Sequence, residues 1–226
     1  MSKQNSSDSS IYTGRTVAVG ISSQGKACAI YRVSSRSFPN RIAQAKEDRV
    51  SIIPASGHEK DIFINPYITY NSIRIVRDSI AVVANGSHTD IIAEKIAFGM
   101  NLRDALAFTL ISMDYEKDVL NTPRIAGVID TNKRSAFLGI VKEQSIHVSS
   151  VSLLPGELYY ISTYEKDRIV EEQKEIFSAE DATQAARYVM EQGIFSKMSH
   201  GVVSASAFEK GLSFELSTHT LSARSN

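Results

Sequence analysis

Cysteine is almost absent: Cys28 is the only one. A single thiol cannot close a disulfide within the chain, and a cysteine-based zinc site needs more than one. Neither sign of charge is in excess, since 25 Lys and Arg stand against 25 Asp and Glu. A neutral chain has no global field to draw it onto nucleic acid or an anionic membrane, so any anion must be held by a local basic cluster. The apolar runs are far shorter than a membrane span. Met1 to Ser10 is polar and Ser-rich, with no apolar core of a secretory signal. The expectation is a soluble cytoplasmic protein with neither nucleic-acid nor membrane partners.

What is present is ordinary for a globular chain. Hydrophobic residues make up 42% and charged residues 22% of 226 residues, which excludes wholesale disorder. At about 150 residues per domain this is one large domain or two small ones, and without a linker or repeat one domain is the better reading. The expected division is a disordered leader over 1–10, a single catalytic domain over 11–208 and a C-terminal extension over 209–226 that frays.

Apolar alternation predicts strands over Arg15 to Ile21, Ala27 to Val33, Val50 to Ile53, Ile73 to Val76 and Ile80 to Ala84. Ile92, Ile96, Gly99 and Met100 share one helical face, with Thr89 or Asp90 as cap. Asn101 suits the cap of a second helix ending near Asp114. Strands resume over Ile125 to Ile129, Ala136 to Val141, Ile146 to Val151 and Leu158 to Ser162. A last helix after Ser178 buries Ala182, Ala185, Ala186, Val189 and Met190 and stops at Gly193. This order is no βαβ alternation. It argues for an α+β fold of antiparallel sheets with helices outside.

Several motifs fade on inspection. Gly20 to Lys26 nearly spells a phosphate-binding loop, but Ala27 replaces the Ser or Thr that would hold magnesium and a strand follows, so it reads as a hairpin turn. Cys28 in an apolar strand reads as a buried, inert thiol. Asn85-Gly86-Ser87 matches a glycosylation sequon that a cytoplasmic chain does not use. His58, His88, His147, His200 and His219 show no metal-ligand spacing.

Four stretches are harder to explain as packing. Tyr31 to Arg41 carries Arg32, Ser34 and Arg36 on one face if the strand stays extended, two guanidiniums suited to a planar anion. Asn65-Pro66-Tyr67-Ile68-Thr69-Tyr70-Asn71 offers phenols and amides to an oxygen-rich ligand. Asn85 to Asp90 leads into a helix start with free N–H groups. Asp114-Tyr115-Glu116-Lys117-Asp118, followed by Asn121 to Arg124, places carboxylate, phenol and ammonium where a helix gives way to a loop, a setting for acid–base work. Each also has a plain structural reading: a solvated edge, half-buried tyrosines, an N-cap box and a charged surface.

Together with Tyr12-Thr13-Gly14-Arg15, these stretches resemble the archaeal-type IMP cyclohydrolase family over roughly residues 11 to 208. The resemblance implies a four-layer αββα sandwich similar to N-terminal-nucleophile hydrolases, without an N-terminal nucleophile. It implies ring closure of 5-formamidoimidazole-4-carboxamide ribonucleotide to IMP, a small purine ribonucleotide substrate, no metal and no organic cofactor. A homo-oligomer is expected, with a tetramer among the options.

Such chemistry needs no enzyme nucleophile, because the substrate carboxamide nitrogen attacks the substrate's own formyl carbon. The enzyme holds the two arms in attack geometry, worth about 7–11 kcal/mol at best, stabilises the developing oxyanion and moves protons. The resemblance assigns Arg36 and Tyr70 to the oxyanion, with Arg36 beside Tyr70, and Glu116 to proton transfer. Arg32, Asn71, Asn85, Ser87, Thr89, Lys117 and Arg124 are assigned to phosphate, ribose and base. An N-terminal-nucleophile amidohydrolase and a non-catalytic nucleotide-binding module are the rival readings.

Overall fold

The computed structural model describes residues 10–221. Along β1 (Arg15–Ile21), Val17, Val19 and Ile21 alternate with Ala18 and Gly20, and every position is buried. The alternate residues point to opposite faces, and both faces are covered: Val17 and Val19 enter the core between two sheets, Ala18 a second core under a helix. That double burial is why β1 reads as nearly continuous apolar sequence.

Around β1 lie β2 (Ala27–Ser34), β10 (Glu157–Ser162), β11 (Lys174–Ile176), β12 (Gly201–Lys210) and β13 (Ser213–Thr220), in the order β11-β10-β1-β2-β12-β13. The second sheet runs β3-β4-β5-β6-β7-β8-β9, an unbroken meander of Arg41–Lys46, Arg49–Pro54, Tyr70–Val76, Ile80–Ala84, Arg124–Asp130, Ser135–Lys142 and Ser145–Val151. All neighbouring strands are antiparallel. A short helix, α1 (Asp61–Ile64), lies in the β4–β5 connection. The helices α2 (His88–Ala97) and α3 (Leu102–Met113) cover the outer face of the seven-stranded sheet through Ile92, Ile96, Leu102 and Leu106. On the other side, α4 (Ala182–Glu191) packs Ala185 and Val189 against Cys28, Ile30 and Tyr160. The result is the expected α+β sandwich in four layers, helix, sheet, sheet, helices. Each fully buried Val, Leu or Ile contributes about 1.5–3 kcal/mol of transfer free energy to it.

Local details differ from the sequence reading. Gly20 to Lys26 is a hairpin turn as expected: Ser22 N donates to Lys26 O at 2.8 Å and Gly25 has φ +77°. Asn101 caps α3 by accepting from Asp104 N at 3.0 Å. Neither Thr89 nor Asp90 caps α2, however. The helix already starts at His88, Ser87 in the cap position makes no side-chain cap bond, and the Thr89 hydroxyl donates to Gly86 O at 2.8 Å. Gly193 (φ +51°) does not close α4; the extended Gln192 does, and Gly193 opens a 3-10 turn, Gly193–Lys197.

The strands β3, β11, β12 and β13 were not anticipated. The expectation that the chain frays from residue 209 is overturned as far as Thr220, because β13 pairs with β12 from Lys210↔Ser213 to Val203↔Thr220. Phe214 and Leu216 pack against the inter-sheet core, which gives a Ser- and Thr-rich segment a reason to stay. Residues 1–9 of the expected leader over 1–10, and the last residues, 222–226, lie outside the described residues.

Antiparallel pairing brings the starts of β1, β3, β5 and β7 and the ends of β2 and β6 to one end of the sandwich. That end carries the candidate site.

Candidate active site

At the end of α3 the chain turns sharply at Asp114 (φ +54°). The loop that follows is closed on itself. Glu116 N donates to Thr122 O at 2.8 Å, and the Asp118 carboxylate accepts from Thr122 N at 2.9 Å and from the Thr122 hydroxyl at 2.7 Å. This folding aims the Glu116 side chain inward, where it is fully buried. Its Oε2 lies 3.2 Å from Arg15 Nη2, and its Oε1 lies 3.5 Å from Arg124 Nη1. Burial pushes the Glu116 carboxyl up to about 7, although Arg15 and Arg124 pull it down. A carboxyl poised there exchanges protons readily near neutral pH.

Beside this carboxylate, Tyr31 from β2 and Tyr70 from β5 meet across the sheets. Their hydroxyls are 2.6 Å apart and their rings cross edge to face at 84°. Burial, then Tyr70, raises the Tyr31 phenol well above its ordinary range, while Arg15 and Arg41 oppose the rise. Arg41 is itself buried at the start of β3, with Nε donating to Phe38 O at 3.1 Å. A cleft of about 1000 Å³ opens beside it, between Asn40 and His200.

Five buried polar atoms here have no hydrogen-bond partner among the described residues: Arg15 Nε, Arg41 Nη1, Thr69 Oγ1, Glu116 Oε1 and Arg124 Nε. A buried polar atom left unsatisfied costs about 1–3 kcal/mol. Their concentration at one end of the sandwich marks a place made for a polar ligand. The rim is aromatic. Arg36 lies 4.1 Å over the Tyr12 ring, Tyr12 stacks on Tyr164 at 5.7 Å, and the Tyr164 hydroxyl is 3.0 Å from Thr122 Oγ1. The Tyr67 ring faces the Arg124 guanidinium at 5.7 Å. Among the described residues no three His, Cys, Asp or Glu side chains are grouped to hold a metal ion.

Residues 12–213 match the family model described as IMP cyclohydrolase-like protein. The IMP cyclohydrolase of Methanosphaera stadtmanae is 50% identical over 200 residues, covering 88% of this chain and 95% of that protein. Those of Methanocaldococcus jannaschii and a strain of Methanococcus maripaludis are each 45% identical, over 198 and 188 residues, covering 87% and 83% of this chain and 93% and 91% of theirs. The chain belongs to the IMP cyclohydrolase family.

Against that family assignment, the structure sorts the residues picked from sequence. Tyr70, Glu116 and Arg124 converge at the buried end. Arg36 and Lys117 are exposed on the rim, Lys117 pairing with Asp114 at 2.6 Å. Arg36 does not supply the charge beside the tyrosine pair; Arg15 and Arg41 do. Ser87 is exposed at the start of α2.

Four of the residues assigned to the ligand spend polar atoms on hydrogen bonds within the fold. Strand alternation puts Arg32 on the face of Ile30 and Cys28 under α4, where it also borders the cleft beside Arg41. All its nitrogens are occupied: Nε donates to Ser34 Oγ, Nη1 to Val189 O and Phe195 O, and Nη2 to Met198 O. Burial pushes this guanidinium down to about 10. Asn71, one residue after the inward Tyr70, faces outward and joins Ser51 to Asp90. Asn85 ties β6 to β7 through Pro123 O and Ile125 N. Thr89 spends its hydroxyl on Gly86 O.

Arg15, Tyr31 and Arg41, which the structure places beside Glu116 and Tyr70, were not singled out from sequence. Each lay within a stretch that carried the family resemblance; Arg15 and Arg41 open their strands as Tyr70 opens β5, and Tyr31 lies in the second half of the antiparallel β2. Strand polarity in the two antiparallel sheets was the signal that could have found them.

Proposed function

We propose that this chain catalyses the dehydrative closure of 5-formamidoimidazole-4-carboxamide ribonucleotide to IMP, the last step of purine biosynthesis, and its reverse. The observation that carries the reading is Glu116 buried between Arg15 and Arg124 beside the Tyr31–Tyr70 pair, with unsatisfied polar atoms around it.

The reaction forms one bond, from the carboxamide nitrogen to the formyl carbon, and breaks the bond from that carbon to its oxygen. One proton leaves the carboxamide nitrogen and one the formamide nitrogen, and both depart with the oxygen as water. The Glu116 carboxylate is the acceptor for the first proton, and its raised affinity lets it return a proton to the departing oxygen. The Tyr70 hydroxyl, backed by Tyr31, donates to the formyl oxygen as charge develops there, and the guanidiniums of Arg15 and Arg41 stabilise that charge in a water-poor site. Arg124, between Glu116 and the Tyr67 ring, is placed to meet the base edge. Exposed Arg36 and Lys117 at the rim fit the phosphate, and Ser87 with the first amides of α2 fits the ribose or phosphate. No residue here acts as a nucleophile, and no metal or organic cofactor enters the scheme. A homo-oligomeric, cytoplasmic enzyme of one catalytic domain completes the reading.

The test is an ultraviolet assay for IMP formation from the formylated carboxamide ribonucleotide. Turnover supports the reading. Tight IMP binding without turnover would favour a nucleotide-binding module, and amide hydrolysis by a processed chain would favour the amidohydrolase.

A further inference from the structure

His88, the first residue of α2, has no role in the scheme above. It is fully buried directly behind Arg124. Its Nε2 lies 3.0 Å from Ile125 O, an atom that only accepts, so Nε2 carries the ring proton. Its Nδ1 lies 3.5 Å from Arg124 Nη1, a group that only donates, so Nδ1 presents a lone pair. The same Nη1 is 3.5 Å from Glu116 Oε1. A Cβ built on Gly86 would sit 2.9 Å from Arg124 Nη1, 3.1 Å from His88 Nδ1 and 3.3 Å from Glu116 Oε1, so the three groups meet around one point that only glycine leaves open.

We infer that His88, as the neutral Nε2–H tautomer, is a positioning residue that holds the Arg124 guanidinium against Glu116. The inference rests on the cyclohydrolase reading for its kinetic consequence, though not for its geometry. Burial, then Arg124, pushes the imidazole down to about 3, so it stays neutral wherever the enzyme works. A cation at His88 would repel Arg124; a neutral acceptor steers it. The charged groups facing Glu116 are Arg15 from β1, Arg124 from β7, Arg41 from β3 and Asp118 from its own loop. Losing the grip on Arg124 removes one of the three cations that favour the carboxylate, and the Glu116 proton affinity rises.

The test uses a pair of substitutions that separate the two ring nitrogens. His88→Asn keeps a polar atom near Nδ1 and loses the bond to Ile125; His88→Gln reaches the Nε2 position and loses the contact with Arg124. Wild-type turnover is measured first, since its absence would defeat the cyclohydrolase reading and not this one. The expected result is that His88→Gln moves the acid limb of kcat/KM upward by about half a unit to one unit, a further ~3–10-fold loss below the limb, while His88→Asn leaves the limb near its wild-type position. Gly86→Ala should reproduce the Gln shift, because its methyl falls nearest Arg124 Nη1, at 2.9 Å, and pushes that guanidinium away. An unmoved limb in both His88→Gln and Gly86→Ala, or a shift in His88→Asn alone, overturns the inference. Nitrogen NMR of His88 in the intact wild-type protein needs no variant: protonated Nε2 and bare Nδ1 between pH 5 and 8 are expected, and the opposite tautomer or a charged ring overturns it.

Discussion

Arg15 and Glu116, 101 residues apart in sequence, meet at 3.2 Å inside the sandwich with almost no access to solvent. Arg15 opens β1 of one sheet, and Glu116 hangs from the loop after α3, on the far side of the other. The pair therefore ties the two halves together at the end where the site lies. Its desolvation is costly, and the cost keeps the carboxyl within reach of a proton at neutral pH.

The first prediction concerns that carboxyl. The acid limb of kcat/KM should fall near pH 7, where Glu116 ionises, instead of near the ordinary glutamate value of 4.5. Glu116→Gln should lower kcat by about 10²–10³-fold with the fold intact. A limb near 4.5, or near-normal kcat in a folded Gln variant, would remove Glu116 from proton transfer.

The same group leaves a mark on stability. Its affinity for a proton is higher folded than unfolded, so between 4.5 and about 7 the folded state binds more proton. Its contribution is fully present below 4.5 and is lost as pH rises through 7. Glu116→Gln should flatten the fall in unfolding free energy over that window. Denaturant titrations of both proteins at pH 4.5, 6 and 8 measure it; parallel pH curves would contradict the burial account.

Much of this was legible in sequence, and the limits have physical causes. Strands β1, β2, β7 and β8 declare themselves because they are buried and apolar. By contrast β13, with Ser, Thr, His and Glu around Phe214 and Leu216, hides its pairing in a polar edge, and β3 carries only Ile42 and two alanines among polar residues. The family resemblance singled out Glu116, Tyr70 and Arg124, which the fold brings to one end of the sandwich. The faces that Arg32 and Asn71 take were not legible, because the choice of strand face, inward or outward, depends on what covers the second face. Only the packed helices α2 and α4 supply that information.

The tyrosine pair gives a third prediction. Tyr70→Phe and Tyr31→Phe each remove one hydroxyl from a 2.6 Å contact and almost no volume. Tyr70→Phe should lower kcat by about 10²-fold and Tyr31→Phe by less, since Tyr31 acts through Tyr70. The double variant should lose less than the product of the two. Strict multiplicativity in steady-state kinetics would show that the hydroxyls work separately.

Arg32 tests the distinction between site and scaffold. Its guanidinium serves three backbone carbonyls, of Val189, Phe195 and Met198, that have no solvent to turn to. Arg32→Met fills the space and strands those acceptors, so unfolding free energy should fall by about 3 kcal/mol or more. Activity per folded molecule should stay within about threefold, because every Arg32 nitrogen already donates within the fold. Arg41→Met, one strand away and with Nη1 unpartnered at the site, should do the reverse, costing activity more than stability. The two variants compared by thermal unfolding and by steady-state kinetics decide it. A stable Arg32→Met with a raised KM for the ribonucleotide would return Arg32 to the substrate, and would mean that its carbonyl partners release it when ligand binds.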